Sequence, residues 1–158
     1  MTMERTLILA KPDAVQRGLL GRILSRFEEK GLKLVGLKLM HMTDELAAVH
    51  YEAHKERPFY PGLVRFMTSS PIVAIALEGI GAIDIARNLM GATFGSNANP
   101  GTIRGDFGVS NSFNLVHGSD SPEAAERELG LFFGTNELLE WDMDGCKWIY
   151  DPVEELGQ

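Results

Sequence analysis

The chain has 158 residues, 44% of them hydrophobic and 23% charged, with a formal net charge of −7 at pH 7. This composition is typical of a single globular domain and excludes a disordered chain, a collagen and a coiled coil. The acidic total argues against nucleic-acid or membrane-surface binding, and no apolar run approaches the ~18 residues of a membrane-spanning helix.

The negative charge is concentrated near the C-terminus. Residues 137–158 hold seven acidic residues and one lysine, which gives −6, whereas residues 1–136 carry −1. We therefore predict one domain over residues 1–158, with an acidic tail (137–158) packed on the body or on a neighbouring subunit. Its lone cysteine, Cys146, cannot form an internal disulfide, and the first residues lack a secretion signal, so we expect a cytoplasmic protein.

The first predicted elements are a strand, a helix and a second strand. The apolar run over residues 5–10 predicts a strand, which ends before Pro12. The helical spacing of Ile23, Leu24 and Phe27 predicts an amphipathic helix that stops at Gly31. The alternating residues 32–42 then predict the second strand.

The middle of the chain repeats this alternation. Thr43 followed by two acidic residues predicts a helix start, and we expect this helix to run to about His54. After a proline-rich loop and a short helix, the β-branched residues of 71–78 predict a buried strand. Residues 82–90 predict another helix.

The last third contains a glycine-rich segment. Residues 91–113 hold five glycines and predict a long ordered loop, a feature that is usually functional in a compact domain. Residues 114–117 predict a brief strand, and Ser121-Pro122 predicts the start of a final helix. The order fits an α+β, ferredoxin-like β-α-β-β-α-β plan. In this plan an antiparallel four-stranded sheet is covered by helices on one face; here a long loop and a C-terminal tail are added.

The most informative candidate for chemistry is His117. It ends the last predicted strand, a glycine follows it, and the capped helix begins close by, where backbone amides favour anions. Taken alone it is more often an ordinary core or surface histidine. Lys11 at a strand end, Arg87 at a helix end and Arg104 in the glycine-rich loop would form a phosphate clamp if they converged on it.

Other motifs are absent or weak. The chain has no P-loop, no G-x-G-x-x-G and no protein-kinase signature. His50 and His54 are spaced for a zinc pair on a helix, although two surface or half-buried histidines are the default interpretation. The integrin tripeptide at residues 104–106 has no meaning in a cytoplasmic chain.

Over essentially its whole length the chain resembles nucleoside diphosphate kinases. The resemblance rests on four separate motifs in the same order, at residues 11–18, 57–63, 100–107 and 114–120. It implies transfer of the γ-phosphate of a nucleoside triphosphate, mainly ATP, to a nucleoside diphosphate through a phosphohistidine on His117, in ping-pong order. Such an enzyme maintains the NTP and dNTP pools.

The resemblance also implies roles for individual residues. Glu128, with Ser119 nearby, would orient the imidazole of His117. The nucleotide phosphates would be held by Lys11, Arg87, Thr93 and Arg104. Tyr51 would lie close to the histidine.

The remaining implied contacts concern the nucleoside and the metal. Lys11 and Asn114 would meet the ribose hydroxyls, and Phe59 would stack on the base with Leu63 nearby. Mg²⁺ would be carried by the nucleotide phosphates, with no direct protein ligand and with Asp120 as a possible helper through water.

Some features leave alternatives open. Asn111, Ser112 and Phe113 depart from common family residues near the site, which puts local loop contacts in doubt. The tail resembles that of longer, commonly hexameric members, so we favour a homo-hexamer over a tetramer. A non-catalytic nucleotide-binding module on the same fold and a protein-histidine phosphotransferase side activity are the competing functions.

Overall fold

The computed structural model describes residues 2–158, and seven α-helices alternate with four strands in this part of the chain. In chain order these are β1 (Met3–Ala10), α1 (Pro12–Gln16), α2 (Leu20–Lys30), β2 (Lys33–Met40), α3 (Asp44–His50), α4 (Tyr60–Met67), β3 (Ile72–Ile80), α5 (Ala82–Met90), α6 (Ile103–Phe107), β4 (Val116–Gly118) and α7 (Pro122–Phe132). Short 3₁₀ helices span Glu52–His54, Gly95–Asn97 and Asp144–Trp148.

The strands form one antiparallel sheet in the order β2-β3-β1-β4. Leu7 pairs with Ala76 of β3, and Ile8 pairs with Gly118 of β4. The predicted α+β plan is therefore confirmed.

Helices cover both faces of the sheet, so the expectation of helices on one face was wrong. Ile8 belongs to a core cluster with residues of α2 and α5, whereas its neighbour Leu7 belongs to a second cluster with residues of α3, α4 and α7. Successive residues of a strand point to opposite faces, so these two clusters lie on opposite sides. The four residues Leu7–Ala10 are fully buried for this reason.

Local capping chemistry sets several helix ends. The Thr43 hydroxyl accepts a hydrogen bond from Leu46 N at 3.1 Å, and the Ser121 hydroxyl accepts one from Ala124 N at 3.1 Å. Gly31 ends α2 in a left-handed conformation, with φ at +106°. The predicted start and stop residues of these helices are confirmed.

The end of one predicted helix was wrong, and a short helix was missed. Helix α3 ends at His50 and not near His54, because Tyr51 leaves the helical region and a separate 3₁₀ turn follows. The segment 91–113 contains a 3₁₀ turn and α6. The latter forms because the Thr102 hydroxyl accepts a hydrogen bond from Gly105 N at 3.0 Å.

The last strand is shifted relative to its prediction. It spans Val116–Gly118 and not residues 114–117, because Leu115 has a φ of +73° and breaks the extended run. Non-glycine residues in this region are strained by about 1–3 kcal/mol, so the surroundings must hold Leu115 in place.

The C-terminal residues contact the edge of the sheet. Leu139 N donates to the carbonyl of Val35 at 2.8 Å, and the Trp141 indole donates to the carbonyl of Leu34 at 2.8 Å. Further along, the Tyr150 hydroxyl accepts a hydrogen bond from Ile80 N at 3.1 Å. Within residues 2–158, no helix combines the length and the apolar character needed to cross a membrane.

Gly105 of α6 allows a close approach that a larger residue would prevent. A Cβ there would overlap the carbonyl oxygen of Asn99. We predict that Gly105→Ala lowers the free energy of unfolding by about 1–3 kcal/mol, as overpacking does. Gly130→Ala on α7 is the matched control: its Cβ would meet nothing within 4 Å. That variant should gain about 0.5–1 kcal/mol, because alanine favours a helix over glycine. Urea unfolding measures both; equal effects of the two substitutions would contradict this packing argument.

Candidate active site

A cavity of about 1050 Å³ opens beside β4 and collects most of the residues singled out from the sequence. Of the ten candidate catalytic and nucleotide-binding residues, all but Glu128 line it. Those in the lining are Lys11, Tyr51, Phe59, Leu63, Arg87, Thr93, Arg104, Asn114 and His117, and Asp120 lines the cavity as well.

His117 is held from behind by a buried carboxylate. It lies on β4 opposite Leu9 of β1, and its Nε2 is 2.9 Å from Oε1 of Glu128 on α7. The same oxygen accepts a hydrogen bond from the Ser119 hydroxyl at 2.8 Å. Glu128 is only 5% exposed, whereas the His117 side chain is 24% exposed. The carboxylate therefore occupies one ring nitrogen and leaves Nδ1 available to a ligand.

The charge of Glu128 follows from these contacts. Burial by itself would raise the pKa of Glu128, but the hydrogen bond and charge of His117, with the Ser119 hydrogen bond, outweigh it and hold that pKa below its usual value. The group is thus a carboxylate at neutral pH. An ionised acceptor at Nε2 keeps the proton there and fixes the imidazole tautomer with Nδ1 as the nucleophilic nitrogen.

Lys11 stands where β1 ends, buried and facing the cavity. Its Nζ donates to Oδ1 of Asn114 at 2.8 Å, and its backbone N–H donates to the carbonyl of Leu115 at 2.8 Å. Burial, with the charge of Arg104, lowers the pKa of Lys11 to about 8; the charge of Asp13 acts in the opposite direction. Lys11 therefore carries its charge at neutral pH but loses it at a lower pH than an exposed lysine does.

The strained Leu115 is held by the neighbouring residue Asp13. Oδ2 of Asp13, in α1, accepts a hydrogen bond from Leu115 N at 3.1 Å. The carbonyl of Leu115 accepts a hydrogen bond from the Lys11 backbone N–H. Both polar backbone groups of Leu115 are therefore satisfied by residues 11–13, where β1 leads into α1. This pair of bonds offsets the unfavourable φ and fixes the start of β4.

Arg104 joins the glycine-rich segment to β4. Its guanidinium donates to the carbonyls of Asn114 at 3.1 Å, Gly91 at 3.0 Å and Val116 at 2.7 Å. Burial and the charge of Arg87 lower the pKa of Arg104 to about 10, so it stays cationic at neutral pH. A guanidinium has five N–H groups, and two of them remain for an anion in the cavity.

Arg87 comes from α5, and its Nη1 donates to the carbonyl of Gly118 at 3.2 Å. With Lys11, Arg104 and Arg65 of α4 it gives four cationic residues in the lining of one cavity. Asp120 is the acidic residue among the lining residues. An arrangement of this kind suits a polyanion such as a nucleotide phosphate chain.

Aromatic rings form another part of the cavity lining. Phe59 is 54% exposed, and Phe113 stacks on Phe66 with ring centres 4.4 Å apart and planes 9° from parallel. The contact explains what Phe113 does in place of the family's usual residue: it packs on α4. Asn111 also lines the cavity, where its Oδ1 accepts a hydrogen bond from Ser96 at 2.7 Å.

The sequence analysis did not assign His50 to the site. Its ring centre lies 4.9 Å from that of His117, and both of its nitrogens are buried without a hydrogen-bond partner. Burial, followed by the charge of His117, lowers the pKa of His50 to about 3, so its ring is neutral. The default interpretation of His50 and His54 as half-buried and surface histidines is confirmed: His54 is exposed, lies in the 3₁₀ turn and packs against Phe59.

Tyr51 lies beside this ring pair, as expected for a residue near the histidine. Its ring centre is 4.4 Å from that of His50, and its hydroxyl is buried without a hydrogen-bond partner. Burial, and secondarily the charge of Glu128, raise the pKa of Tyr51, which keeps the phenol protonated.

This geometry can be compared with known proteins. The family model described as nucleoside diphosphate kinase matches residues 4–138 of the chain. The chain belongs to the nucleoside diphosphate kinase family.

Similar proteins extend this assignment over nearly the whole length. The nucleoside diphosphate kinase of Thermosynechococcus vestitus is 57% identical over 149 residues, which cover 94% of this chain and 99% of that protein. That of Carboxydothermus hydrogenoformans is 55% identical over 94% of this chain and 100% of its own.

A solved structure of the halophilic nucleoside diphosphate kinase from Halobacterium salinarum, in complex with CDP, superposes with a TM-score of 0.93. It is 51% identical to this chain and covers 95% of it and 100% of its own length.

The expected family, fold and enzyme class are thus confirmed. The protein is a phosphotransferase of the nucleoside diphosphate kinase type, and transfer through a phosphohistidine is general to this family. The family model ends at residue 138, so the chain beyond Leu138 lies outside the matched segment.

The lowered pKa of Lys11 predicts a pH dependence of nucleotide binding. Lys11 is charged below about pH 8 and neutral above it, so its attraction for phosphate is lost as the pH rises. We expect the affinity for ADP to fall above that pH, at most by about tenfold per pH unit. Calorimetric titration between neutral and mildly alkaline pH measures this loss. Lys11→Arg should move the loss to higher pH, and an unchanged affinity across the range would contradict the assignment.

Proposed function

We propose that His117 is the phosphate carrier of a ping-pong exchange between nucleoside triphosphates and diphosphates, with ATP as main donor. One observation supports this most directly: the ring lines the same cavity as the cationic residues Lys11, Arg87 and Arg104, while Glu128 engages its Nε2. A neutral imidazole at the end of a phosphate-binding cavity is suited to nucleophilic attack.

In the first half-reaction, the lone pair of Nδ1 attacks the γ-phosphorus of the bound triphosphate. The nitrogen–phosphorus bond forms while the bond to the β–γ bridging oxygen breaks, and the diphosphate leaves. The ring gains positive character, which the carboxylate of Glu128 at Nε2 stabilises. The second half-reaction reverses these steps with another diphosphate as the acceptor.

The cationic side chains contribute by placement and charge. Lys11, Arg87 and Arg104 neutralise the phosphate oxygens, and Thr93 adds a hydroxyl to the same lining. Phosphoryl transfer needs the attacking and leaving atoms in line and the spectator oxygens neutralised. Arg104 is well suited to orient a phosphate group because three backbone carbonyls already hold its guanidinium in one position.

The nucleoside would be bound by few base-specific groups. Phe59 offers an exposed ring for stacking with Leu63 nearby, and Lys11 and Asn114, which line the same cavity, would meet the ribose hydroxyls. Stacking does not discriminate between bases because every base has a π-face. Broad use of NDPs and dNDPs follows, which suits the maintenance of NTP and dNTP pools.

The side chains that line the cavity are suited to Mg²⁺ only as an ion carried by the substrate. Among the residues lining the cavity, Asp120 offers the carboxylate that would reach such an ion through water. When bound, Mg²⁺ would supply further neutralisation of phosphate charge. The side chains that hold the phosphates themselves are the cations described above.

The decisive experiment mixes the protein with Mg²⁺ and γ-labelled ATP. We expect one acid-labile label per chain, removed by GDP with formation of labelled GTP. His117→Ala should abolish both labelling and exchange, whereas His41→Ala, an exposed histidine outside the cavity lining, should retain them. Labelling of the His117→Ala protein at the wild-type rate would overturn the proposed nucleophile.

The two competing functions give other results in the same assay. A non-catalytic nucleotide-binding module would bind ADP but take up no label. A protein-histidine phosphotransferase activity would pass the label from His117 to a histidine of another protein. The presence of His117, Lys11 and Arg104 in one cavity favours the nucleotide exchange.

Assembly and location are part of the same proposal. We favour a homo-hexamer over a tetramer, supported by exposed apolar side chains at Leu39, Val109 and Trp148, which are 67%, 91% and 85% exposed in the single chain. We expect the mass in solution, measured by light scattering, to equal six chains; four would contradict this. A reducing cytoplasm fits the single free cysteine, Cys146.

A further inference from the structure

His50, His117 and Glu128 bring two imidazoles and a carboxylate together, and the proposed exchange uses only the last two. One possible ligand atom from each residue can be chosen so that the three lie within 4.8 Å of one another. His50 comes from the end of α3, His117 from β4 and Glu128 from α7, so the group forms only in the folded protein. The chemical character of this cluster differs from that of the cationic side chains that face the phosphates.

We propose that this cluster is a binding site for Zn²⁺ and related borderline transition-metal ions, which block the nucleophile when bound. Two histidines and one glutamate are a donor set typical of zinc sites that keep an open coordination position. Imidazole nitrogen favours such ions over Mg²⁺, which prefers oxygen donors. The site is therefore distinct in chemistry from the Mg²⁺ carried by the nucleotide.

The unpartnered nitrogens of His50 are the second observation that points to a ligand. Both Nδ1 and Nε2 of His50 are buried, and neither has a hydrogen-bond partner. A buried polar group without a partner is unfavourable, and coordination of a metal ion by one nitrogen would recover part of that loss. Such a nitrogen also loses no existing hydrogen bond when it becomes a ligand.

The distances suit one ion after small side-chain movements. Nε2 of His117 and Oε1 of Glu128 are 2.9 Å apart in their hydrogen bond. Two donors on a tetrahedral zinc ion with bonds of about 2.0–2.2 Å stand roughly 3.3–3.6 Å apart, so this pair must separate slightly when the ion replaces the proton. The ring of His50 stands at 85° to that of His117 with centres 4.9 Å apart. A rotation of the rings shortens the remaining separations, and the partly exposed His117 gives access from the cavity.

Metal binding would act on phosphate transfer through His117. A neutral imidazole carries one ring proton, so an ion bound at Nε2 of His117 shifts that proton to Nδ1 and removes the lone pair that would attack the γ-phosphorus. This consequence rests on the proposed function, whereas the binding itself does not. The positive side chains Lys11, Arg87 and Arg104 in the same cavity weaken the affinity for a cation, so we expect reversible binding that a chelator removes.

The direct test is titration of the nucleotide-free protein with Zn²⁺ against a chromophoric chelator, and with Co²⁺ followed by its visible absorption. We expect one equivalent to bind, with absorption typical of a four- or five-coordinate nitrogen and oxygen site. Histidine ring resonances of ¹⁵N-labelled protein should shift for His50 and His117 and not for His41. These readouts need no enzymatic activity and no variant; the absence of binding would overturn the site.

Variants then test the ligands. His50→Phe keeps a ring in the contact with His117 but removes the nitrogens, and it should weaken Zn²⁺ binding at least about tenfold. The control is the double variant His41→Gln/His54→Gln, which removes two histidines outside the cluster and should bind Zn²⁺ like the wild type. His50→Gln, a smaller polar replacement, serves if the phenylalanine variant does not fold. Equal loss in the control, or no loss with either His50 variant, would contradict the proposal.

Inhibition is measured separately. Protein loaded with one equivalent of Zn²⁺ and freed of excess should take up label from Mg-ATP more slowly, and a chelator followed by fresh Mg²⁺ should restore the rate. If the metal binds but the metal-free protein takes up no label, the proposed function fails and the site stands. If labelling is normal with Zn²⁺ bound at the cluster, the blocking effect is refuted.

Discussion

The anchoring of Leu115 by the turn between β1 and α1 is the constraint on which the rest of the site depends. Asp13 and the Lys11 backbone hold both polar groups of Leu115, whose φ of +73° redirects the chain into β4. The same change of direction places Asn114 against the Lys11 ammonium and sets His117 opposite Leu9. A strained backbone is therefore stabilised where it sets Asn114 and His117 in the wall of the cavity.

The site separates positive and negative charge around one imidazole. The buried carboxylate of Glu128 lies behind His117, and Lys11, Arg87 and Arg104 line the cavity in front. Since the whole chain carries −7, the positive character of the cavity comes from local placement, with most of the acidic excess after residue 136. Net charge thus describes the surface of this protein better than it describes the cavity.

Local chemistry explains which parts of the fold were predictable. Thr43, Ser121 and Gly31 mark helix ends because their own side chain or conformational freedom satisfies the neighbouring backbone. Helix α6 was missed because it is five residues long and depends on the Thr102 cap within a glycine-rich segment. The end of α3 was misplaced because residues 52–57 contain no glycine or proline to mark a stop, although the backbone leaves the helical region at Tyr51.

The candidate residues were found by motif, but several of their contacts were not. No spacing in the sequence indicates that Arg104 donates to three carbonyls, since those carbonyls belong to residues 10 to 13 positions away. The pairing of His50 with His117 was also hidden, because helical spacing pointed to His54 instead. Contacts between distant segments depend on the sheet order, which local patterns do not contain.

The pairing of β4 with β1 has a consequence for folding kinetics. The contacts that build the site join residues more than 100 positions apart, as in Lys11 with Asn114 and Asp13 with Leu115. Closing such a long loop is entropically costly and slow compared with forming local helices. Strand β1 pairs with β3 on one side and with β4 on the other, so His117 joins the sheet from the far end of the chain. Competence to bind a nucleotide therefore reports that nearly the whole polypeptide has folded.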